Sequence, residues 1–125
     1  MRDPRPGIAW SGRRVATRVA YHDYMTGLAW ARRRRAWRAG WLAAHDNEPV
    51  CQICAEPWTL TRGDLHHRSY RRLGRETDRD LIPLCRRCHS ALHVLLETPQ
   101  WLRLGRARAT DSLVAVLRRQ NGPQQ

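Results

Sequence analysis

The stretch LHHRSYRRLGRETDRDLIPLCRRCHSALH, residues 65–93, gathers four of the chain's six histidines and two of its four cysteines. Leu65 to Arg68 reads as a short strand, with turn-forming TRGD before it and RLGRETD after it. Leu81-Ile82-Pro83-Leu84 reads as the returning strand of a hairpin that ends at Cys85. Cys88 to His93 then opens a helix. His89 and His93 stand at i and i+4, so both imidazoles lie on one helical face and can share one ion. Adjacent residues on a regular strand point to opposite faces, so His66 and His67 face one ion together only where the backbone bends. An irregular strand is therefore expected at that pair; on a regular one, one of the two is structural.

Outward from this stretch, Cys85-x-x-Cys88 has a counterpart in Cys51-x-x-Cys54. Each pair offers two thiolates at a spacing that lets a tight turn grip a tetrahedral ion, and four such ligands make a closed, structural zinc site. The segment between the pairs is 30 residues, longer than the roughly 15–20 of a compact zinc ribbon, so the site must hold something between its halves.

The chain of 125 residues suits one small domain with extensions, thin enough in core for a structural metal to matter. Net charge is +12, and all 23 basic residues are arginines, permanent charges suited to bidentate phosphate contacts. An anionic partner is implied. A nucleic acid fits better than a membrane, because no apolar run approaches the roughly 18 residues a spanning helix needs. The N-terminal MRDPRPGIAW lacks the apolar stretch of a signal peptide, so the expected compartment is the cytoplasm, where cysteines are metal ligands more often than disulfides.

Four segments follow. Residues 1–14, rich in Pro, Gly and Arg, read as a basic flexible arm. Residues 15–46 read as a basic helical segment, one helix or two, with Trp30, Trp37 and Trp41 on one stripe and Tyr24, Leu28 and Leu42 offering another apolar face. The run Arg32, Arg33, Arg34 and Arg35 wraps around any single helix and is a candidate phosphate contact. Residues 47–97 form the Cys/His module, entered through the turn DNEP at 46–49. In residues 98–125 Thr98 is a plausible N-cap with Pro99 at N1, and Leu113, Val116 and Leu117 suggest a short amphipathic helix before a polar tail. Residues 1–45 carry ten arginines against two acids, 46–98 eight against eight, and 99–125 five against one. The module is neutral and its flanks supply the attraction.

Tyr21 and Tyr24, the two C-x-x-C knuckles, the paired histidines, D-L at 80–81 and L-C-R-R-C-H-S-A-L-H at 84–93 together resemble the HNH endonucleases, the ββα-metal nucleases, in their cysteine-bearing subgroup, over about three-fifths of the chain. The resemblance implies an α+β fold: a small ββα-metal core, also called the His-Me finger, pinned by a four-cysteine zinc site and flanked by N- and C-terminal helices. It implies hydrolysis of DNA phosphodiesters with one divalent metal, leaving 5′-phosphate and 3′-hydroxyl ends. His67 would be the general base that takes a proton from the attacking water. His66 and His89 would bind the catalytic metal, with His93 matching the additional histidine of nuclease colicins. The Asn of the family name falls at Asp80, a departure; Asp80 would bind the ion or the His67 ring. Arg68, Arg71 and Arg72 would contact the substrate backbone. The metal could be Mg²⁺, Mn²⁺, Ni²⁺ or Zn²⁺, and three imidazoles are softer than Mg²⁺ prefers.

The rival from another class is a non-catalytic zinc module that binds nucleic acid; the histidine set beyond the knuckles separates the two, since binding alone does not require it. A nuclease that works only within a phage packaging or mobile-element assembly is a further reading that the resemblance permits.

Overall fold

A two-stranded hairpin and the helix that follows it form the centre of the structure, a computed structural model that describes residues 11–121. Strand β1 spans Gly63–His67 and β2 spans Leu81–Cys85, paired antiparallel with Gly63 opposite Cys85 and His67 opposite Leu81. A turn of 3-10 helix at Asp78–Asp80 delivers the chain into β2. Helix α3, Arg86–Leu96, starts at once, with Cys85 as its N-cap: the Cys85 Sγ accepts the Cys88 N–H at 3.4 Å.

The hairpin separates two cores, and the period of two along each strand decides which residue enters which. Leu84 joins the core made with Leu92 and Leu96 of α3. Leu65 and Leu81, from the opposite face, join the core of Trp30, Trp37 and Trp58. The tryptophan stripe expected from the sequence is therefore the packing face of α2, Leu28–Ala44, which follows α1, Ser11–Met25, after a break at Thr26 and Gly27. Burying a side chain of that size stabilises the fold by roughly 1.5–3 kcal/mol. Leu28, read as part of a second apolar face, is exposed instead. Gly63 is needed where it stands, because a Cβ there would lie 2.2 Å from Nε1 of the buried Trp58 indole.

Behind α3 lie the short α4, Pro99–Leu102, and α5, Arg106–Asn121. Pro99 occupies the first turn of α4 as expected, but the Thr98 hydroxyl donates back to the Leu95 carbonyl at 2.7 Å and caps nothing. The expected short C-terminal helix is 16 residues long, and its buried face runs through Ala109, Thr110, Leu113 and Val114 against α3. The arm read over residues 1–14 lies outside the described residues as far as residue 10, and residues 11–14 already belong to α1.

Candidate active site

Two side-chain clusters use α3 as their common support. In the first, one sulfur from each of Cys51, Cys54, Cys85 and Cys88 lies within 4.8 Å of the others, all as free thiols. Cys54 and Cys85 are 3.8 Å apart at sulfur. Sulfurs bound tetrahedrally at about 2.3 Å from zinc are about 3.8 Å apart, so the donor set and its spacing fit that ion. The Ile53 N–H donates to the Cys51 sulfur at 3.4 Å, as Cys88 N–H does to Cys85, a pair of backbone contacts that hold each knuckle turn.

The second cluster is His66, His89 and His93, one ring nitrogen of each within 4.8 Å of the others. Asp64 and His66 sit two apart on β1 and so share the face turned towards α3. The Asp64 carboxylate accepts from Nδ1 of His89 at 2.9 Å, which fixes that proton and leaves the His89 Nε2 lone pair 3.0 Å from Nε2 of His93. His66 is fully buried; its Nε2 meets the Thr110 hydroxyl at 3.0 Å, and its Nδ1 is buried without a partner. Three imidazoles converge here, two of them facing each other through Nε2, so these residues fit a divalent metal. Burial and the nearby charge of Arg106 pull His66 far below the ordinary imidazole range. Burial and His89, with Arg106, bring His93 down to about 4, so both rings are neutral at pH 7.

His67 is not in this cluster. The strand pairing is regular through His66 and His67, so the expected irregularity is absent and the two rings leave β1 on opposite faces. The His67 ring stacks on Trp30 with centroids 4.9 Å apart, and its Nε2 donates to the Glu76 carboxylate at 2.7 Å. The Tyr24 hydroxyl donates to the other Glu76 oxygen at 2.6 Å. Burial raises Glu76, but these hydrogen bonds outweigh it and hold the carboxyl below its ordinary range. The result is a buried His67–Glu76–Tyr24 group that ties α1 and α2 to the hairpin.

Asp80 meets neither the His67 ring nor the three-histidine cluster. Its carboxylate accepts from Arg72 Nε at 2.8 Å and from the Thr77 backbone N–H at 2.9 Å, closing the 3-10 turn. The Arg72 hydrogen bond is the main reason its carboxyl sits at about 2.

Residues 51–94 match the family model described as HNH endonuclease. This segment is similar to the HNH endonucleases. No curated protein and no solved structure matches the chain. The HNH module thus contains both clusters and ties the chain to nuclease and nucleic-acid chemistry, while α1, α2 and α5 lie outside the matched segment. No helix among the described residues is long and apolar enough to cross a membrane.

The arginines expected to meet DNA divide into two groups. Arg68 forms a fork with Asp111 at 2.8 and 2.6 Å, Arg72 is paired with Asp80, Arg33 with Asp78, and Arg34 donates to the Gly63 carbonyl at 2.7 Å. Arg32, Arg35 and Arg71 are exposed. Sequence reasoning missed Asp64, Glu76, Thr110 and Arg106. Asp64 carried a usable signal, its place two residues before His66 on a strand; Thr110 lies 44 positions from the ring it supports and carried none.

Proposed function

We propose that the chain is a metal-dependent DNA endonuclease in which His66, His89 and His93 hold one divalent cation and the four cysteines hold a structural zinc. The observation that carries this reading is the convergence of three imidazole nitrogens on buried or half-buried rings. His66, His89 and His93 would hold the cation, which would supply Lewis-acid polarisation of a phosphodiester and charge stabilisation for a departing 3′ oxygen. Around it the residues of the chain orient the ligands and draw in the DNA backbone. Asp64 and Thr110 orient the His89 and His66 rings, and the Asp64 carboxylate, which can only accept, fixes the His89 tautomer. Exposed Arg32, Arg35 and Arg71 attract the DNA backbone, whereas Arg33, Arg34, Arg68 and Arg72 have intramolecular partners that DNA would have to displace.

The general-base role implied for His67 finds no support in the geometry: its ring is buried, lies on the far side of β1 and spends its Nε2 proton on Glu76. We assign His67 to positioning, holding β1 so that His66 faces α3. Asp80 likewise serves the 3-10 turn through Arg72 and Thr77. Free thiols suit the reducing cytoplasm, the location we propose.

Metal stoichiometry tests the centre. With the cysteine site loaded with zinc, the wild type should take up one further equivalent of Ni²⁺ or Mn²⁺ by equilibrium dialysis, and His89→Ala should not. Equal uptake by the two proteins would remove the three-histidine centre.

A further inference from the structure

We infer that Arg106, on the first turn of α5, is a substrate-binding residue of the three-histidine centre, gripping the phosphodiester that is to be cut; the inference rests on the nuclease reading above. Arg106 and Thr110 are i and i+4 on α5 and therefore share one helical face. Thr110 already touches His66, so the same face brings Arg106 to the centre. Its guanidinium is held in place from two sides: Nε donates to the His67 carbonyl at 2.8 Å, and the group lies 4.2 Å over the Tyr70 ring. Tyr70 is braced in turn by Tyr21, edge-on with centroids 5.5 Å apart.

Arg106 shares with Arg34 a setting of one carbonyl and one ring face, but of the two it is Arg106 that shares a helical face with Thr110, the residue that touches His66. Arg68, Arg72 and Arg33 are each matched by a carboxylate. The contacts of Arg106 among the described residues are a carbonyl and a ring face, which steady a guanidinium without neutralising it. A permanent positive charge beside a centre that would hold a cation would repel that cation unless an anion lay between them. A phosphodiester oxygen is that anion. With Nε committed to His67, the terminal NH2 groups form the fork that suits two phosphate oxygens. Helix α5 lies outside the segment matched by the HNH model, so this chain completes the substrate site from beyond the module.

The test compares wild type, Arg106→Gln, Arg106→Lys and Arg108→Gln in plasmid cleavage at saturating DNA, with melting temperature and metal uptake measured on each. Arg108 is exposed on the same helix, so Arg108→Gln removes an equal charge from elsewhere on α5. Arg106→Gln should cut about 100-fold more slowly while binding metal at least as tightly as wild type, since a repulsive charge has gone. Arg106→Lys should recover part of the rate, and Arg108→Gln should stay within about threefold of wild type. Arg106→Gln cutting as fast as Arg108→Gln would overturn the inference. Should Arg106→Gln fail to fold, Arg106→Lys decides: a loss of about tenfold or more at wild-type melting temperature supports the phosphate grip, and wild-type cleavage overturns it. A wild type that cuts nothing in any metal defeats the nuclease reading itself, an outcome distinct from active wild type with active Arg106→Gln.

Discussion

At the scale of single residues, the paired histidines divide their work. His66 and His67 are neighbours in sequence, yet one is buried under α5 with an orphaned nitrogen and the other is clamped between Trp30 and Glu76. From the sequence a bent strand is expected that keeps both rings at one ion; the pairing is regular instead, and a regular strand leaves only one of the two for the metal. The resemblance names His66 for the metal; the partners of the two rings could not be read, because Glu76 and Thr110 meet them from a loop and from a distant helix. His67→Ala should therefore cost roughly 2–4 kcal/mol of stability, by removing the ring from its stack and leaving the Glu76 carboxylate short of a donor. Urea unfolding reads the cost, and cleavage should fall only as far as the folded fraction does. Full stability with abolished cleavage would return His67 to the proton-accepting role.

Asp80 offers a second check on residue roles. A carboxyl held below its unfolded value contributes stability that is complete above that value and lost as pH falls through the folded one. For Asp80 the window runs from 3.8 down to about 2. Asp80→Asn should thus unfold at lower urea than wild type near neutrality, and the gap should narrow as pH is lowered from about 5 to about 3. A gap that stays constant would mean that the carboxylate charge is not what closes the 3-10 turn.

At the scale of elements, the hairpin and α3 were legible because their signals are local: two short apolar runs bounded by turn residues, then histidines at i and i+4. Their boundaries moved little, with β1 beginning at Gly63 and α3 at Arg86. Helix α5 was underestimated, since its buried face uses Ala109 and Thr110, which carry little apolar signal and become buried only once α3 packs on them. The start of β1 depends on a close approach that the sequence does not announce. Gly63→Ala should drive a methyl group into the Trp58 indole, itself buried and bonded through Nε1 to the Asp64 carbonyl at 2.8 Å. A loss of about 1–3 kcal/mol or more is expected by thermal or urea unfolding. Unchanged stability would mean that β1 is not pinned against α2 as described.

At the scale of the whole molecule, one helix supports both the four-thiol and the three-histidine cluster, and the arginine-rich flanks surround a module whose own charges balance. The four thiols knit the loop at 51–54 to the start of α3, so loss of zinc should release the hairpin along with its histidines. Cys85→Ser, or chelation of the wild type, should abolish the cooperative melting transition of the module. A melting curve unchanged with zinc removed would separate the cysteine cluster from the fold. Composition and charge pointed to a nucleic acid from the sequence alone. The pairing of Arg68 with Asp111 and of Arg72 with Asp80 was hidden, because a guanidinium's partner is a matter of tertiary position.

The most direct test of the account is cleavage of supercoiled plasmid by wild type and His89→Ala, side by side in EDTA, Mg²⁺, Mn²⁺, Ni²⁺ and Zn²⁺. His89 is partly exposed, so its removal should leave the fold standing, as melting curves can verify. The account predicts nicking or linearisation by the wild type that needs metal and falls by about 100-fold or more in His89→Ala. Binding of the plasmid by both proteins with no cleavage in any metal would contradict it and favour a non-catalytic zinc module, as would cleavage that His89→Ala leaves intact contradict the three-histidine centre.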